Sequence, residues 1–435
     1  MRRIAVIGAG AAGLTAAWLL SRRYKVTLFE AAPRLGGHAH TVDVPSPRGP
    51  VGVDVGFIVY NETTYPTLTA MFGALGVATQ PSDMSFSVSL DGGRLEYAGQ
   101  DNLAALFAQR RNLVRPRFWG MLADLARFYR VASDQDPEAL GDCTLGEYLE
   151  RGRFGRAFRD EHVIPMAAAI WSGSAASMAE FPASTFLRFC QNHGLLRFAD
   201  RPRWRTVTGG SRQYVDRIAA ALGPGSVRCA EPVHAVARRG EGVALHLDGG
   251  NVESFDGAVL ATHAPQALAL LGPGATTTER AILGAFRTQE NVGILHSDPA
   301  LMPRRKAAWS SWNYMGEIAG TGDRRTSVTY WMNRLQGHDP ALPLFVTLNP
   351  IAEPRADLVH GRFRYAHPQF DGAAVAAQRL LPEIQGTHHV WYCGAWQRYG
   401  FHEDAALSAV KVAASLGAAP LWDRPQYEPA AGRVA

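Results

Sequence analysis

The run "RRIAVIGAGAAGLTAAWLLSRRYKVTLFE", residues 2 to 30, decides how the rest of the chain is read. Two arginines ahead of a long apolar, small-residue run have the make-up of a secretory signal, which needs a basic start, an apolar core and small residues at a cleavage point. The glycines argue otherwise. Gly8, Gly10 and Gly13 stand in the G-x-G-x-x-G spacing after Ile4-Ala5-Val6-Ile7, a short apolar run of the kind that forms a buried parallel strand. Residues 14–20 continue as a helix. Lys25-Val26-Thr27-Leu28-Phe29 then reads as a second strand ending in Glu30, 20 residues beyond Gly10. Strand, glycine turn, helix, strand and acid in this order make a dinucleotide-binding unit. The first glycine allows the tight turn, the second lets backbone approach a pyrophosphate, and the third lets helix and strand pack closely. The helix N-terminus then offers free N–H groups and its positive dipole end to the phosphates. Glu30 is placed to accept hydrogen bonds from a ribose and to repel a 2′-phosphate, which disfavours NADP. Cleavage within this run would destroy a complete unit, so it is read as folded structure.

Bulk properties fit a globular enzyme. The 435 residues are too many for one simple core, so two intertwined domains are expected. No apolar run is long enough to span a bilayer. Cys143, Cys190, Cys229 and Cys393 are scattered, which suits a reducing, cytoplasmic setting and gives neither a disulfide framework nor a zinc site. His38 and His40, two apart, and the adjacent His388 and His389 lack metal-ligand spacing, so no metal is expected. The net charge of +5 favours anionic surfaces or substrates, and no nucleic-acid motif accompanies it. The tail after Pro420 reads as irregular and loosely held.

A second loop follows at once. "AAPRLGGHAHTVDV" carries Arg34, the pair Gly36-Gly37 and His38, and "GVDVGFIVYN" (52–61) carries Gly56 and Phe57. A nicotinamide enzyme has no use for a second phosphate-contacting loop there, whereas a cofactor lying extended through the protein needs one. Near the other end, "HHVWYCGAWQRYGFHEDAALSAVKVAASL" (388–416) reads as a strand, a turn at Gly394, a loop, and a helix starting near Glu403.

These motifs resemble the FAD-dependent amine oxidase superfamily, which includes monoamine oxidases, protoporphyrinogen oxidases and carotene desaturases. The likeness rests on the glycine fingerprint, the ribose acid, the R-x-G-G element, and a closing motif carried by Gly394 and by Gly400-Phe401-His402-Glu403-Asp404-Ala405. Ala395 and Asp404 depart from that motif, and an Asp where the family has Gly puts the local φ in question. The resemblance implies an α/β fold: a Rossmann-like FAD-binding domain with an interleaved α+β substrate-binding domain. The expected boundaries are 1–60, 205–275 and 375–420 for the FAD domain, 61–204 and 276–374 for the substrate domain, and 421–435 for the tail. It also implies non-covalent FAD, held by Gly8, Gly10, Ala12, Gly13, Glu30, Arg34, Gly36, Gly37, His38, Gly56, Phe57, Val233 on a central strand set, Gly394, Glu403, Asp404 and Ala405.

Amine-oxidising members face the flavin with two aromatic rings and a lysine that holds a water. Here Phe401 occupies one ring position, with Tyr399 and Trp396 close by. The lysine position falls in "RTQENVGIL" (287–295), which offers Glu290 and Asn291, and the nearest lysine is Lys306. Segments such as "IWSGSAASMAEFPASTFLRFCQNHGLL" resemble a bacterial subgroup linked with enzymes that modify unsaturated fatty acyl chains, as in cyclopropane and furan fatty acid formation. That resemblance implies a fatty acyl or phospholipid substrate, with hydride passing to flavin N5 in desaturation, dehydrogenation or double-bond isomerisation. It also points to a partner methyltransferase or an electron acceptor. An amine oxidase, or an accessory flavoprotein that binds lipid or a partner enzyme, remains the alternative.

Phe181, Phe186, Leu187, Phe189, Leu195, Leu196, Phe198 and Trp204 form either domain core or an acyl tunnel. Residues 108–132 mix Arg110, Arg111, Arg115 and Arg117 with Phe118, Trp119, Met121, Leu122, Leu125 and Phe128. This suits a helix lying on an anionic membrane, on the cytoplasmic face, or a helix packed on its own domain with a solvated arginine edge. His402 and His263 are placed by sequence near the flavin and are candidates to move a proton near pH 7.

Overall fold

Five parallel strands form the sheet that carries the glycine turn. Their spatial order is Val227–Cys229, Lys25–Glu30, Arg3–Ile7, Gly257–Leu260 and Val390–Tyr392. The computed structural model describes residues 2–99, 103–171, 173–196, 202–318, 324–418, 420 and 422. The chain therefore leaves this sheet after Glu30 and returns to it three times. Every residue of the helix Ala11–Leu20 is buried, as expected of a helix apolar all round. It packs against the sheet, the helix His402–Ser415 and the helix Arg212–Leu222.

The intervening segments build a seven-stranded sheet. Its order is Val359–Gln369, Arg287–His296, Phe345–Leu348, Arg324–Trp331, Trp312–Ile318, Phe86–Leu90 and Leu95–Gly99. All neighbours are antiparallel except Phe86–Leu90 beside Trp312–Ile318. Helices Pro116–Asp134, Ile164–Trp171 and Ala183–Asn192 share its core. The architecture is the two-part α/β arrangement expected from the sequence.

Residues 108–132 do not form one helix. Pro116, which favours a first helical turn, starts the helix Pro116–Asp134, while Arg110–Val114 is a separate 3₁₀ turn. Phe118, Met121 and Phe128 are buried in the domain's own core, so most of the apolar face expected to meet a membrane is already covered. The aromatic cluster divides as well: Phe181, Phe186, Leu187 and Leu196 are core, whereas Phe189, Leu195 and Trp204 border a cavity. Phe198 and, apart from Trp422, the expected tail 421–435 lie outside the described residues. No helix among the described residues is long and apolar enough to cross a membrane.

Candidate functional site

A single cavity of about 700 Å³ runs from Glu30 and Val233 past the glycine turn into the space beneath the large sheet. Gly8 is at φ +99°, and a Cβ there would lie 2.9 Å from the Ala261 carbonyl oxygen. A Cβ on Gly13 would lie 1.8 Å from the Gly8 oxygen, so helix and strand touch backbone to backbone. A Cβ on Gly10 would meet nothing within 4 Å. The room beside Gly10 therefore belongs to the cavity, at the mouth of a helix whose first residues, Ala11 and Ala12, line it. That cradle and the free N–H groups above it fit a pyrophosphate. Glu30 accepts from the Ala9 and Ala32 amides at 2.7 and 2.8 Å and borders the cavity near Val233. The second loop is tied to the first by Gly36 N–H donating to the Ala9 carbonyl. A Cβ on Gly37 would lie 2.9 Å from the Gly10 Cα, and one on Gly56 2.1 Å from the His38 oxygen. Only glycine permits these approaches.

The far end closes the site with Gly394, Ala395, Trp396, Gly400, Phe401, His402 and Ala405 on its wall. Asp404 needs no left-handed conformation. It sits in the first turn of the helix His402–Ser415 and accepts from the Phe401 and Tyr399 amides at 3.0 and 3.2 Å. Burial raises its pKa to about 6, against those two hydrogen bonds and the Arg398 guanidinium. Glu403 turns away and accepts from the Thr67 and Leu68 amides at 3.0 and 2.9 Å, so it caps the helix Pro66–Leu75. The expected cofactor roles of Glu403 and Asp404 are thus not side-chain contacts. Both carboxylates are spent on backbone.

Between the two ends lies a group of imidazoles. His38 has ring centroids of His367, His263 and Tyr365 at 5.4, 6.1 and 5.0 Å, and its Nε2 has no partner. His402 stacks on Phe57 at 3.9 Å, also with Nε2 unpartnered. The Asn349 amide donates to Asn291 Oδ1 at 2.6 Å, and Asn291 donates to His367 Nδ1 at 3.0 Å. That chain assigns the proton of neutral His367 to Nε2. Burial lowers the pKa of His402 to about 3 and that of His367 to about 4. Burial first, then the neighbouring His367, His263 and His402, lowers that of His38 well below the usual range, and burial lowers that of His263. The expectation that His402 and His263 titrate near pH 7 is corrected: burial lowers both.

Beyond the imidazoles the wall is apolar and aromatic: Met84, Ile170, Phe189, Leu195, Trp312 and Tyr330. Phe401 stacks on Phe189 at 4.8 Å, and Trp312 meets Tyr330 edge to face. Of the ring candidates, Phe401 and Trp396 line the cavity and Tyr399 does not. Asn291 stands behind His367. Arg34 holds its own loop through the Leu35 and Gly37 carbonyls, off the cavity wall. Lys306 sits over the Trp309 ring, outside the cavity. Cys393 is buried, its thiol pKa pushed up to about 12 by burial, and is not part of the wall.

Sequence reasoning missed Tyr365, His367, Trp312 and Tyr330. The first two were within reach. Phe363, Tyr365 and His367 alternate along one strand and share a face. Trp312 and Tyr330 carried no local signal, since only the pairing of their strands brings them together.

The model of the family described as flavin containing amine oxidoreductase matches residues 11–349. No curated protein sequence matches. Among solved structures, cyclohexylamine oxidase from Brevibacterium oxydans IH-35A is similar at TM-score 0.69 and 16% identity, covering 96% of this chain and 99% of its own. A CLA-producing fatty acid isomerase from P. acnes is similar at TM-score 0.67 and 16% identity, covering 95% and 98%. Putrescine oxidase bound to putrescine gives TM-score 0.66 and 16% identity, covering 96% and 99%. At these identities the likeness is one of fold.

Proposed function

This chain belongs to the flavin-containing amine oxidoreductase family and is a FAD-dependent oxidoreductase, and from that premise we propose that it oxidises or isomerises an uncharged apolar chain, the unsaturated or methylated acyl chain of a membrane lipid. One observation carries the reading. Among the described residues the cavity wall contains no Arg, Lys or Asp, and its two glutamates, Glu30 and Glu231, stand at the end that fits the nucleotide. A buried ammonium would have no counter-carboxylate among the described residues of the apolar compartment, and a free fatty acid would have no cation there. An isolated buried charge is strongly disfavoured, whereas an esterified acyl chain brings none. The fatty acid isomerase that shares this fold is compatible with that substrate class.

Bound FAD supplies an acceptor for hydride from a C–H activated by a neighbouring double bond. The Gly10 cradle, the Ala11–Ala12 helix start, Glu30, Val233 and the Gly394–Ala395 turn would hold it. Phe189, Trp312 and Tyr330 exclude water and align the chain. Neutral His367 presents Nε2–H, and burial keeps His38 and His402 neutral beside it.

The test mixes yellow holoprotein, without oxygen, with phospholipids bearing unsaturated acyl chains in detergent. Desaturation bleaches the flavin and yields a lipid lighter by two hydrogens. Isomerisation leaves the flavin oxidised and the lipid mass unchanged, with the double bond moved. Bleaching by a panel of primary amines but not by any lipid, with peroxide released in air, would make the protein an amine oxidase. Inertness to both would make it an accessory flavoprotein.

A further inference from the structure

The segment ahead of the helix Pro116–Asp134 leaves a surface that its own domain does not cover. Leu103, Leu113, Val114 and Trp119 are 74%, 51%, 80% and 49% exposed. They are contiguous. Phe107 N–H donates to the Leu103 carbonyl, the Phe107 and Trp119 rings lie 5.6 Å apart, and Trp119 Nε1–H donates to the Leu113 carbonyl at 2.9 Å.

Cations surround this patch. Arg110, Arg111 and Arg117 are exposed, and the short helix Leu103–Leu106 packs on the turn Lys306–Ala308, which adds Lys306 and the preceding Arg304. Three nearby acids among the described residues are already engaged. Asp91 pairs with Arg94 and Arg324, Glu96 with Arg305, and Glu161 with Arg94 and Arg117. Arg111 and Arg115 are held by the Arg94 carbonyl instead. Among the described residues Arg110, Arg111 and Arg115 have no acidic partner. Desolvation, then the charges of Arg115, Arg305 and Arg94, lowers the pKa of Arg111.

We infer that this face docks the protein on an anionic phospholipid surface, with Leu113, Val114 and Trp119 entering the interface and Arg110, Arg111 and Arg115 meeting the headgroups. Charge alone would suit any polyanion. Exposed aliphatic groups and a tryptophan beside the arginines select a surface with an apolar interior. The inference rests on the acyl-lipid reading for its purpose, since it places the protein where such chains are. It does not rest on that reading for its test.

Holoprotein is sedimented with phosphatidylglycerol or phosphatidylcholine vesicles at low and high salt. Wild type is expected to sediment with the anionic vesicles and far less with the zwitterionic ones. Arg110→Gln with Arg111→Gln should weaken anionic binding about 25-fold, about fivefold for each arginine near the surface. Arg117 is left alone because it holds buried Glu161. Leu113→Ser with Val114→Ser should remove the binding that survives high salt. Flavin absorbance and melting temperature should match wild type in both variants. Failure of wild type to sediment with phosphatidylglycerol at low salt overturns the inference. So does binding to heparin as tight as to vesicles and unaffected by the Leu113 and Val114 changes, which would mark a polyanion site. Neither result bears on turnover in detergent, which tests the acyl-lipid reading by itself.

Discussion

Gly10 and Gly13 belong to one motif and do opposite work. The room beside Gly10 is empty in the folded chain, so a side chain there costs the fold little and takes the place of the pyrophosphate. Gly10→Val should give a folded, colourless protein that melts close to the wild-type apoprotein. Gly13 has no such room, because an added Cβ lands 1.8 Å from the Gly8 oxygen. Gly13→Ala should force helix and strand apart at a cost of roughly 3 kcal/mol or more. Flavin content and melting temperature of the two variants, measured together, separate the roles. A yellow Gly10→Val protein, or a Gly13→Ala protein as stable as wild type, would show that the cradle is misread. The spacing alone told which glycine does which job. It could not tell that Glu403 faces backbone, because its direction depends on the helix Pro66–Leu75, remote in sequence, whereas Asp404 is spent locally on the Tyr399 and Phe401 amides.

Elements meet at the flavin end through a device that looks local and is not. The helix Pro66–Leu75 has a tyrosine at its N-cap, which offers no side-chain cap. Its free amides at Thr67 and Leu68 are satisfied by Glu403, 335 residues away in sequence from Leu68. An Ncap replacement by alanine costs about 1 kcal/mol, and orphaning buried amides costs more. Glu403→Ala should therefore lose about 2 kcal/mol of stability and raise hydrogen exchange across residues 66–75. Exchange unchanged in that helix would show that it stands without the cap. The strands Arg3–Ile7 and Lys25–Glu30 were legible because apolar run, glycine turn and acid all mark the same unit. The imidazole group was less so. Asn291 and Tyr365 face each other across antiparallel strands, and their pairing sets what stands behind His367. The sequence motifs locate the nucleotide end, while the reactive end is assembled by sheet register.

At the scale of the whole molecule, buried titratable groups make stability depend on pH, and two sets oppose each other. His162, His193, His367 and His402 are deeply buried, with pKa values lowered by burial to about 4, 4, 4 and 3. Unfolded, each takes a proton below about pH 6.5, so the unfolded chain binds more protons and stability falls as pH drops from 6.5 towards 4. Asp54 and Asp404 work the other way. Burial raises both to about 6, so the folded chain takes up protons there while the unfolded carboxyls, near 3.9, are still ionised. Each shift is worth about 3 kcal/mol at full extent, and four imidazoles outweigh two carboxyls. The histidines also act first, since their unfolded values lie nearer neutrality. The melting temperature should fall by about 5 °C between pH 7 and pH 5, in the apoprotein as in the holoprotein, so flavin loss is not its cause. His162 lies outside the cavity against Tyr97 and Phe158, and His162→Phe should flatten part of that acid limb while leaving the protein yellow. A protein as stable at pH 5 as at pH 7 would mean that these imidazoles gain protons without unfolding, and that the carboxyls govern the balance.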